Sequence, residues 1–265
     1  MLLQHRLTSP KNITNFLGSD SREKYTHNLK ILPQDWKYRN ENITYAINSN
    51  GYRTVEFDTI DWNNSIVVMG CSAIFGTGLS EQDTVPAQLQ LNVKYPVINL
   101  GMSGTGADFQ YSNLLRLKQN NIQPRKILMF WPNPNRFMYY LDRNVVDSAQ
   151  IGNINFQDLS VHQGNKDLVV DYFLNKQHWI YSFEKLVQSS NLLYPDMLNF
   201  YYHGNLEEFN DINLPGFDTT FNSIVKKETK LRKSDVNNLS RDLEHWGTGI
   251  IEKITIPHIL SILDI

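Results

Sequence analysis

The sequence predicts an α/β fold, a three-layer α/β/α sandwich around a short parallel sheet, from three apolar runs and the helical segments between them. "SIVVMG" (65–70), "YPVINLG" (95–101) and "RKILMFW" (125–131) are short apolar runs, as is typical of strands buried on both faces. Helical signals separate them, in "SEQDTVPAQLQLNV" (80–93) and "DFQYSNLLRLKQN" (108–120). Strands that alternate with helices at this spacing favour right-handed crossovers and therefore parallel pairing.

The first 60 residues differ from the rest of the chain. They are polar and rich in turn formers, and we expect residues 1–60 to form an N-terminal arm that packs on a main domain at 61–265. Within the arm, "ITYAINSNGYRTVEF" (43–57) alternates apolar and polar residues around Asn50-Gly51. That dipeptide is favoured in tight hairpin turns, so the arm is predicted to contain a β-hairpin.

The stretch from about 140 to 235 is less clearly patterned, and we interpret it as a long insertion before the last motif. Its residues predict a helix over 169–188, a strand over 197–204 and a loop over 210–223. After it, apolar residues from Ile250 onward predict a final helix that Pro257 bends or interrupts.

Composition and charge exclude several classes of partner. The formal net charge is −2, which provides no broad cationic field for nucleic acid or an anionic membrane. The basic stretch 226–233 is broken by Glu228 and is interpreted as a solvated helix face. The single cysteine, Cys71, cannot form an internal disulfide, which suits a reducing compartment. The sequence shows neither the apolar core of a signal peptide nor a membrane-length apolar run. We therefore expect a soluble, cytoplasmic protein.

Polar and small residues follow all three predicted strands of the central sheet. They are Gly70-Cys71-Ser72, "NLGMSGTG" (99–106) and "WPNPNR" (131–136). Open α/β sheets bind ligands at the carboxyl ends of their strands, where such loops converge. A fourth element, "RDLEHWG" (241–247), places Asp242 and His245 three residues apart, so that both side chains can face the same way.

These residues are the types that nucleophilic catalysis requires. A serine hydroxyl such as that of Ser72 becomes reactive when a base takes its proton, and His245 could be that base. A carboxylate such as Asp242 would hold the imidazole in the correct tautomer. The backbone N–H groups of Ser72 and Gly104, with the side-chain amide of Asn133, could stabilise the oxyanion.

In this order the four blocks resemble those of the SGNH, or GDSL-type, hydrolase family. The matching residues are Gly70-Cys71-Ser72, Gly104 in "NLGMSG", Asn133 in "WPNP", and Asp242-Leu243-Glu244-His245. The resemblance covers roughly residues 60–140 and 240–255. It implies a flavodoxin-like sheet, Ser72 as nucleophile, His245 as base and Asp242 as the residue that orients it.

The chain also departs from the family pattern. Cys71 stands where the family has an aspartate that is not one of its triad members, and Trp131 and Pro134 replace a glycine and an aspartate of the third block. Asn135 is therefore a rival to Asn133 as oxyanion donor. Cys71 could itself be a nucleophile, although at a strand end a small buried hydrophobic role is the more common one.

The sequence therefore predicts an esterase that cleaves a carboxylic ester through an acyl-enzyme, with a small-molecule or glycan ester as substrate and a carbohydrate O-acetyl group as one possible subclass. We expect no cofactor and no metal, because no cofactor motif is complete and His162, His178 and His203 lack metal-ligand spacing. The alternative is an inactive binding or structural module of the same fold. Aromatic residues near the blocks could line a pocket or pack in the core, namely Trp131, Phe137, Tyr139, Tyr140 and Trp246.

Overall fold

The computed structural model describes residues 2–150, 175–201 and 235–264. The strands in this part of the chain are β1 (Gln4–His5), β2 (Ile13–Thr14), β3 (Tyr45–Ala46), β4 (Ile66–Gly70), β5 (Val97–Asn99), β6 (Lys126–Trp131), β7 (Arg136–Tyr140), β8 (Val145–Gln150) and β9 (Leu198–Tyr201). The α-helices are α1 (Arg22–Ile31), α2 (Ser72–Phe75), α3 (Val85–Gln90), α4 (Ala107–Gln119), α5 (Lys176–Leu193), α6 (Thr248–Ile250) and α7 (Ile256–Ile262).

The central sheet has four parallel strands in the order β5-β4-β6-β9. Numbered along the chain, that order is 2-1-3-4, which is the flavodoxin-like arrangement. Strands β4, β5 and β6 coincide with the three apolar runs from which strands were predicted, and β9 lies within 197–204, where a further strand was predicted. The predictions of a parallel α/β sheet and of its flavodoxin-like order are therefore confirmed.

Two hydrophobic cores lie on opposite faces of this sheet. On one face, Val67 and Met69 of β4 pack with residues of α4 and α5. On the other face, Ile66 and Val68 pack with residues of α3 and α7. All of β4 is buried, as expected for a strand covered by helices on both sides. The three-layer α/β/α architecture predicted from the sequence is thus observed.

The helices begin at residues suited to that role. Thr84 caps α3 by accepting a hydrogen bond from the backbone N–H of Ala87, and Pro86 lies in its first turn. Asn175 caps α5 in the same manner. Before Pro257 the chain forms a π-helical turn over Ile251–Thr255, which joins α6 to α7. Pro257, which has no N–H to donate, therefore follows a widened turn within one continuous helical segment.

The β-hairpin predicted around Asn50-Gly51 is not formed. The turn itself is present, because Gly51 has a φ of +86° and the side chain of Asn48 accepts hydrogen bonds from the N–H groups of Asn50 and Tyr52. The strand before the turn, β3, instead pairs antiparallel with β2. The residues after the turn leave the ladder because Tyr52 enters the core, where its hydroxyl donates to the carbonyl of Leu3.

The part of the predicted insertion that the structure describes contributes a second sheet. Strands β7 and β8 form an antiparallel pair, and β8 pairs in parallel with β1 of the N-terminal arm. The predicted loop at 210–223, the basic stretch 226–233, His162 and His203 lie outside the described residues. The division of the chain near residue 60 remains a prediction. Among the described residues, no helix is long and apolar enough to cross a membrane.

Candidate active site

Ser72 lies at the carboxyl edge of the central sheet, where it is the first residue of α2 and is separated from β4 by Cys71 alone. The loop at 99–106 follows β5, and the loop at 131–136 continues from the end of β6. Because β5 and β6 flank β4 in parallel, these loops leave the sheet on either side of Ser72. The side chain is nearly enclosed, since Ser72 is only 7% exposed.

Ser72, His245 and Asp242 form a continuous hydrogen-bonded chain. The Oγ atom of Ser72 lies 2.7 Å from Nε2 of His245, within the separation of about 3.5 Å expected of a nucleophile and its base. Nδ1 of His245 lies 2.8 Å from Oδ2 of Asp242. A carboxylate can only accept, so the Nδ1 proton is donated to Asp242 and the Nε2 lone pair faces the serine hydroxyl. This is the tautomer that a general base requires.

The Asp242 carboxylate is buried and held by many donors. Its side chain has no exposed surface, and Oδ1 accepts from the Ser240 hydroxyl at 2.6 Å and from the backbone N–H groups of Glu244 and His245. Oδ2 accepts from His245 and from the Ser19 hydroxyl. Burial alone would raise the pKa of Asp242. The hydrogen bond to His245, the charge of His245 and the hydrogen bonds from the Ser240 and Ser19 hydroxyls act in the opposite direction and hold that pKa well below its usual value.

The loop that carries Asp242 and His245 is a tight turn. Leu243 has a φ of +61°, a left-handed conformation that non-glycine residues rarely adopt. The turn is closed by a hydrogen bond from the Leu243 N–H to the Ser240 carbonyl and by one from the Ser240 N–H to the His245 carbonyl. These bonds bring the side chains of Asp242 and His245 to the same side of the turn, as their spacing predicted.

The turn that follows α2 is fixed by close contacts. Gly76 has a φ of +80° and ends α2, and a Cβ atom there would lie 2.3 Å from the Thr84 side chain. The buried guanidinium of Arg53 donates to the backbone carbonyls of Phe75, Gly76 and Leu79. The Arg53 guanidinium therefore holds the end of α2 and the turn after it in place.

Cys71 is buried, as the small-hydrophobe interpretation predicted. Its Sγ lies 3.8 Å from the Ser72 Oγ. The serine hydroxyl has one proton, and its shorter contact is the one to His245 Nε2, so we assign the serine proton to that bond. The thiol is then placed to donate weakly to an Oγ lone pair.

The two other predicted oxyanion residues lie in the loops after β5 and β6. Gly104 has a φ of +85°, and a Cβ atom at this position would approach Leu7 and the ring of His5. Burial lowers the pKa of His5 to about 4, so this ring is neutral at pH 7. Asn133 is almost buried, and its Oδ1 accepts from the backbone N–H of Asn135. This bond orients the Asn133 amide, whereas the buried Oδ1 of Asn135 has no hydrogen-bond partner among the described residues.

The aromatic residues near the four blocks have different environments. Trp131 and Trp246 are fully buried and pack in the two cores, whereas Tyr139 and Tyr140 are exposed. Phe137 lines a cavity of about 190 Å3 between the loop after β6 and the helices α4 and α5. The cavity is also lined by Ala107, Asp108, Pro134, Arg136, His178, Trp179, Ser182, Phe183 and Leu186.

Sequence reasoning missed the residues of the N-terminal arm that contact this site. The Ser19 hydroxyl donates to Oδ2 of Asp242 at 2.7 Å. The buried carboxylate of Asp20 forms an ion pair with Arg241, the neighbour of Asp242. Short sequence patterns carry no signal for contacts that join residues more than 200 positions apart.

Three possible metal ligands also lie together at this site. Ligand atoms of Asp242, Glu244 and His245 are within 4.8 Å of one another. The Asp242 oxygens and the His245 nitrogens already take part in the hydrogen bonds described above, and Glu244 pairs with Lys24. Those contacts account for the cluster, so we assign it no ion.

Solved structures with similar topology share little sequence with this chain. A member of the lipolytic protein G-D-S-L family from Veillonella parvula is 9% identical, with 75% of this chain and 97% of that chain covered and a TM-score of 0.41. A family two carbohydrate esterase from Clostridium thermocellum, in complex with cellohexaose, is 12% identical, with 76% and 64% covered and a TM-score of 0.39.

An acetyl xylan esterase from the rumen bacterium Butyrivibrio proteoclasticus is 8% identical, with 77% of this chain and 65% of that chain covered and a TM-score of 0.39. No protein-family model and no curated protein matches the chain. Similarity at this level does not by itself assign the chain to a family.

Proposed function

We propose that this protein is a serine hydrolase that cleaves a carboxylic ester through an acyl-enzyme intermediate. In this proposal Ser72 is the nucleophile, His245 the general base and Asp242 the residue that orients His245. The observation that carries it is the hydrogen-bonded chain from a buried carboxylate through an imidazole to a serine hydroxyl. A module that only binds a ligand has no need of that chain.

In the first half of the proposed reaction, Oγ of Ser72 attacks the carbonyl carbon of the ester while its proton passes to Nε2 of His245. The carbonyl oxygen becomes an oxyanion, which we propose is stabilised by the N–H groups of Ser72 and Gly104 and by the Asn133 amide. The C–O bond to the alcohol then breaks, and the leaving oxygen takes the proton from Nε2. The products of this half are the free alcohol and an acylated Ser72.

In the second half, His245 takes a proton from a water molecule whose oxygen attacks the acyl carbon. The tetrahedral intermediate collapses, the bond to Oγ breaks, and the proton on Nε2 returns to Ser72. The carboxylic acid is released and the protein is restored. An alcohol in place of water would give acyl transfer by the same steps.

Covalent labelling by a fluorophosphonate probe tests the proposal. The activated Oγ of Ser72 attacks phosphorus and fluoride leaves, so we expect the wild-type protein to be labelled and Ser72→Ala not to be. Cys71→Ala is the matched control, because it changes the neighbouring side chain and leaves the Ser72–His245 contact in place. We expect this variant to be labelled at a rate close to that of the wild type. Intact-mass measurement would quantify both reactions.

Folded wild-type protein that remains unlabelled would contradict the hydrolase proposal and favour the alternative of a binding module. Labelling that persists in Ser72→Ala and disappears in Cys71→Ala would instead identify the thiol as nucleophile. Circular dichroism of each variant separates loss of reactivity from loss of folding.

For the substrate we propose an O-acetyl ester of a carbohydrate. The cavity beside the Asn133 loop combines the aromatic side chains Phe137, Trp179 and Phe183 with polar ones. Sugars present both apolar C–H faces and hydroxyl groups, so a lining of both kinds suits them. The acetyl group itself needs little space at the nearly enclosed Ser72.

Trp179→Ala is expected to lower kcat/KM for an acetylated oligosaccharide about tenfold, which is the order of effect for losing one aromatic contact. Hydrolysis of p-nitrophenyl acetate, which has no sugar to place in the cavity, should change by less than about twofold. Tyr181→Ala is the control, because Tyr181 is on the same helix, does not line the cavity and is 65% exposed. Equal losses on both substrates would argue against a sugar in this cavity.

A further inference from the structure

The Oδ2 atom of Asp242 has two hydrogen-bond donors, one from each end of the chain. Nδ1 of His245 lies 2.8 Å away, and the hydroxyl of Ser19 lies 2.7 Å away although it is 223 positions distant in sequence. Ser19 belongs to the N-terminal arm and lies outside every segment in which the sequence predicted site residues. The Ser19 hydroxyl therefore donates to Oδ2 of Asp242, the same oxygen that accepts from His245, the proposed base.

The residues next to Ser19 in the sequence hold it in place. Asp20 is 1% exposed and forms a two-point ion pair with Arg241, which immediately precedes Asp242. On the other side, Gly18 has a φ of +62°, and a Cβ atom at this position would lie 3.5 Å from the Ser103 hydroxyl of the loop after β5. The segment Gly18–Asp20 thus lies between two of the loops that carry proposed site residues and is bonded to one of them through Asp20.

Further contacts join the arm to the loop at 240–245. The Asn28 side chain of α1 donates to the Arg241 carbonyl, and Arg241 donates to the carbonyl of Asn15. Lys24 of α1 pairs with Glu244 at the surface. Because Asp20, Asn28 and the loop at 240–245 are bonded to one another, the hydrogen bond from Ser19 to Asp242 forms between segments that are already ordered.

We propose that Ser19 is a positioning residue of the active site, acting on His245 through Asp242. Its hydrogen bond fixes the rotation of the carboxylate, so that Oδ2 stays in line with Nδ1 of His245. It also shares the negative charge of Oδ2, which weakens the attraction of the carboxylate for an imidazolium. The N-terminal arm then contributes to catalysis through Ser19, in addition to packing on the α/β domain. This inference rests on the proposed function.

Ser19→Ala tests the inference on the full-length protein. We expect kcat for a p-nitrophenyl ester to fall about tenfold, because a carboxylate that is free to rotate no longer keeps Nδ1 of His245 in line, while KM stays within about twofold. The acid limb of the pH–rate profile should move to higher pH, because a carboxylate with one donor fewer attracts the imidazolium proton more strongly. Ser19→Thr, which keeps a hydroxyl, should recover most of kcat and the original acid limb.

Lys24→Gln is the matched control. It removes another contact between the arm and the same loop without touching Asp242, and it should leave kcat and the pH profile unchanged. A Ser19→Ala protein with wild-type kcat and an unmoved acid limb would overturn the inference. So would a loss of kcat that Ser19→Thr does not rescue, because only a structural role for the arm would explain it.

Failure of the inference and failure of the proposed function give different results. If wild-type protein neither reacts with the fluorophosphonate nor cleaves esters, the proposed function is wrong. If wild-type protein is active and Ser19→Ala behaves like it, only the role of Ser19 is wrong.

Discussion

Asp242→Asn is expected to lower kcat about 10⁴-fold, although it replaces one oxygen by a nitrogen of nearly the same size. The reason lies in the donors that surround the carboxylate. Oδ1 accepts from three groups and Oδ2 from two. An amide nitrogen cannot accept, so it is disfavoured most where three donors converge, and it should occupy the Oδ2 position. There it would donate to Nδ1 of His245.

That donation would reverse the tautomer of His245. With Nδ1 as acceptor, the ring proton sits on Nε2, which then has no lone pair for the Ser72 proton. Labelling by the fluorophosphonate and ester hydrolysis should fall together. Glu244→Gln is the matched control, because it makes the same carboxylate-to-amide change two residues away at an exposed position. It should retain kcat within about twofold. An Asp242→Asn variant whose kcat is within tenfold of the wild-type value would rule out the proposed role of Asp242.

The same variant should change how stability depends on pH. The folded pKa of Asp242 lies below its unfolded value, which is about 4. The carboxylate therefore stabilises the folded protein above that pH, and this contribution is lost as pH falls through the folded pKa. The difference in Tm between wild type and Asp242→Asn should be largest near neutral pH and should shrink as the pH is lowered below about 4.

The central sheet could be predicted from the sequence because each of its strands is a local signal. A strand covered by helices on both faces needs a short apolar run, and β4, β5 and β6 each coincide with one, while β9 lies in the separately predicted strand at 197–204. The positions of Ser72, Asp242 and His245 followed from short blocks whose spacing is fixed by a strand end or a turn. Their meeting point followed from the rule that ligands bind at the carboxyl ends of parallel strands.

The N-terminal arm could not be predicted in the same way. The Asn50-Gly51 turn forms, yet the strand before it pairs with β2, about 30 residues earlier in the chain. The alternation around the turn was equally compatible with either partner, and burial of Tyr52 decided between them. The side chains of Ser19 and Asp20 likewise have partners, Asp242 and Arg241, more than 200 positions away in the sequence. Only tertiary packing assigns such residues a role.

Removing one partner of the buried ion pair between Asp20 and Arg241 is expected to destabilise the folded protein strongly. Both side chains are almost fully buried, with exposed fractions of 1% and 2%, and two hydrogen bonds of 2.9 and 2.6 Å join them. Arg241→Ala would leave the Asp20 carboxylate buried with the Tyr45 hydroxyl as its remaining side-chain donor among the described residues. The expected loss in the free energy of unfolding is about 3–5 kcal/mol, or roughly 10 °C in Tm for a chain of this size.

The chain supplies its own comparison for this prediction. Lys24 and Glu244 join the same arm to the same loop, but their side chains are 31% and 56% exposed. Solvent screens such a pair, so Lys24→Gln should cost less than about 1 kcal/mol. Adding Asp20→Asn to Arg241→Ala should recover part of the loss, because no charge is then buried alone. If Arg241→Ala instead costs no more than Lys24→Gln, water must reach Asp20, and the arm must open away from the loop that carries His245.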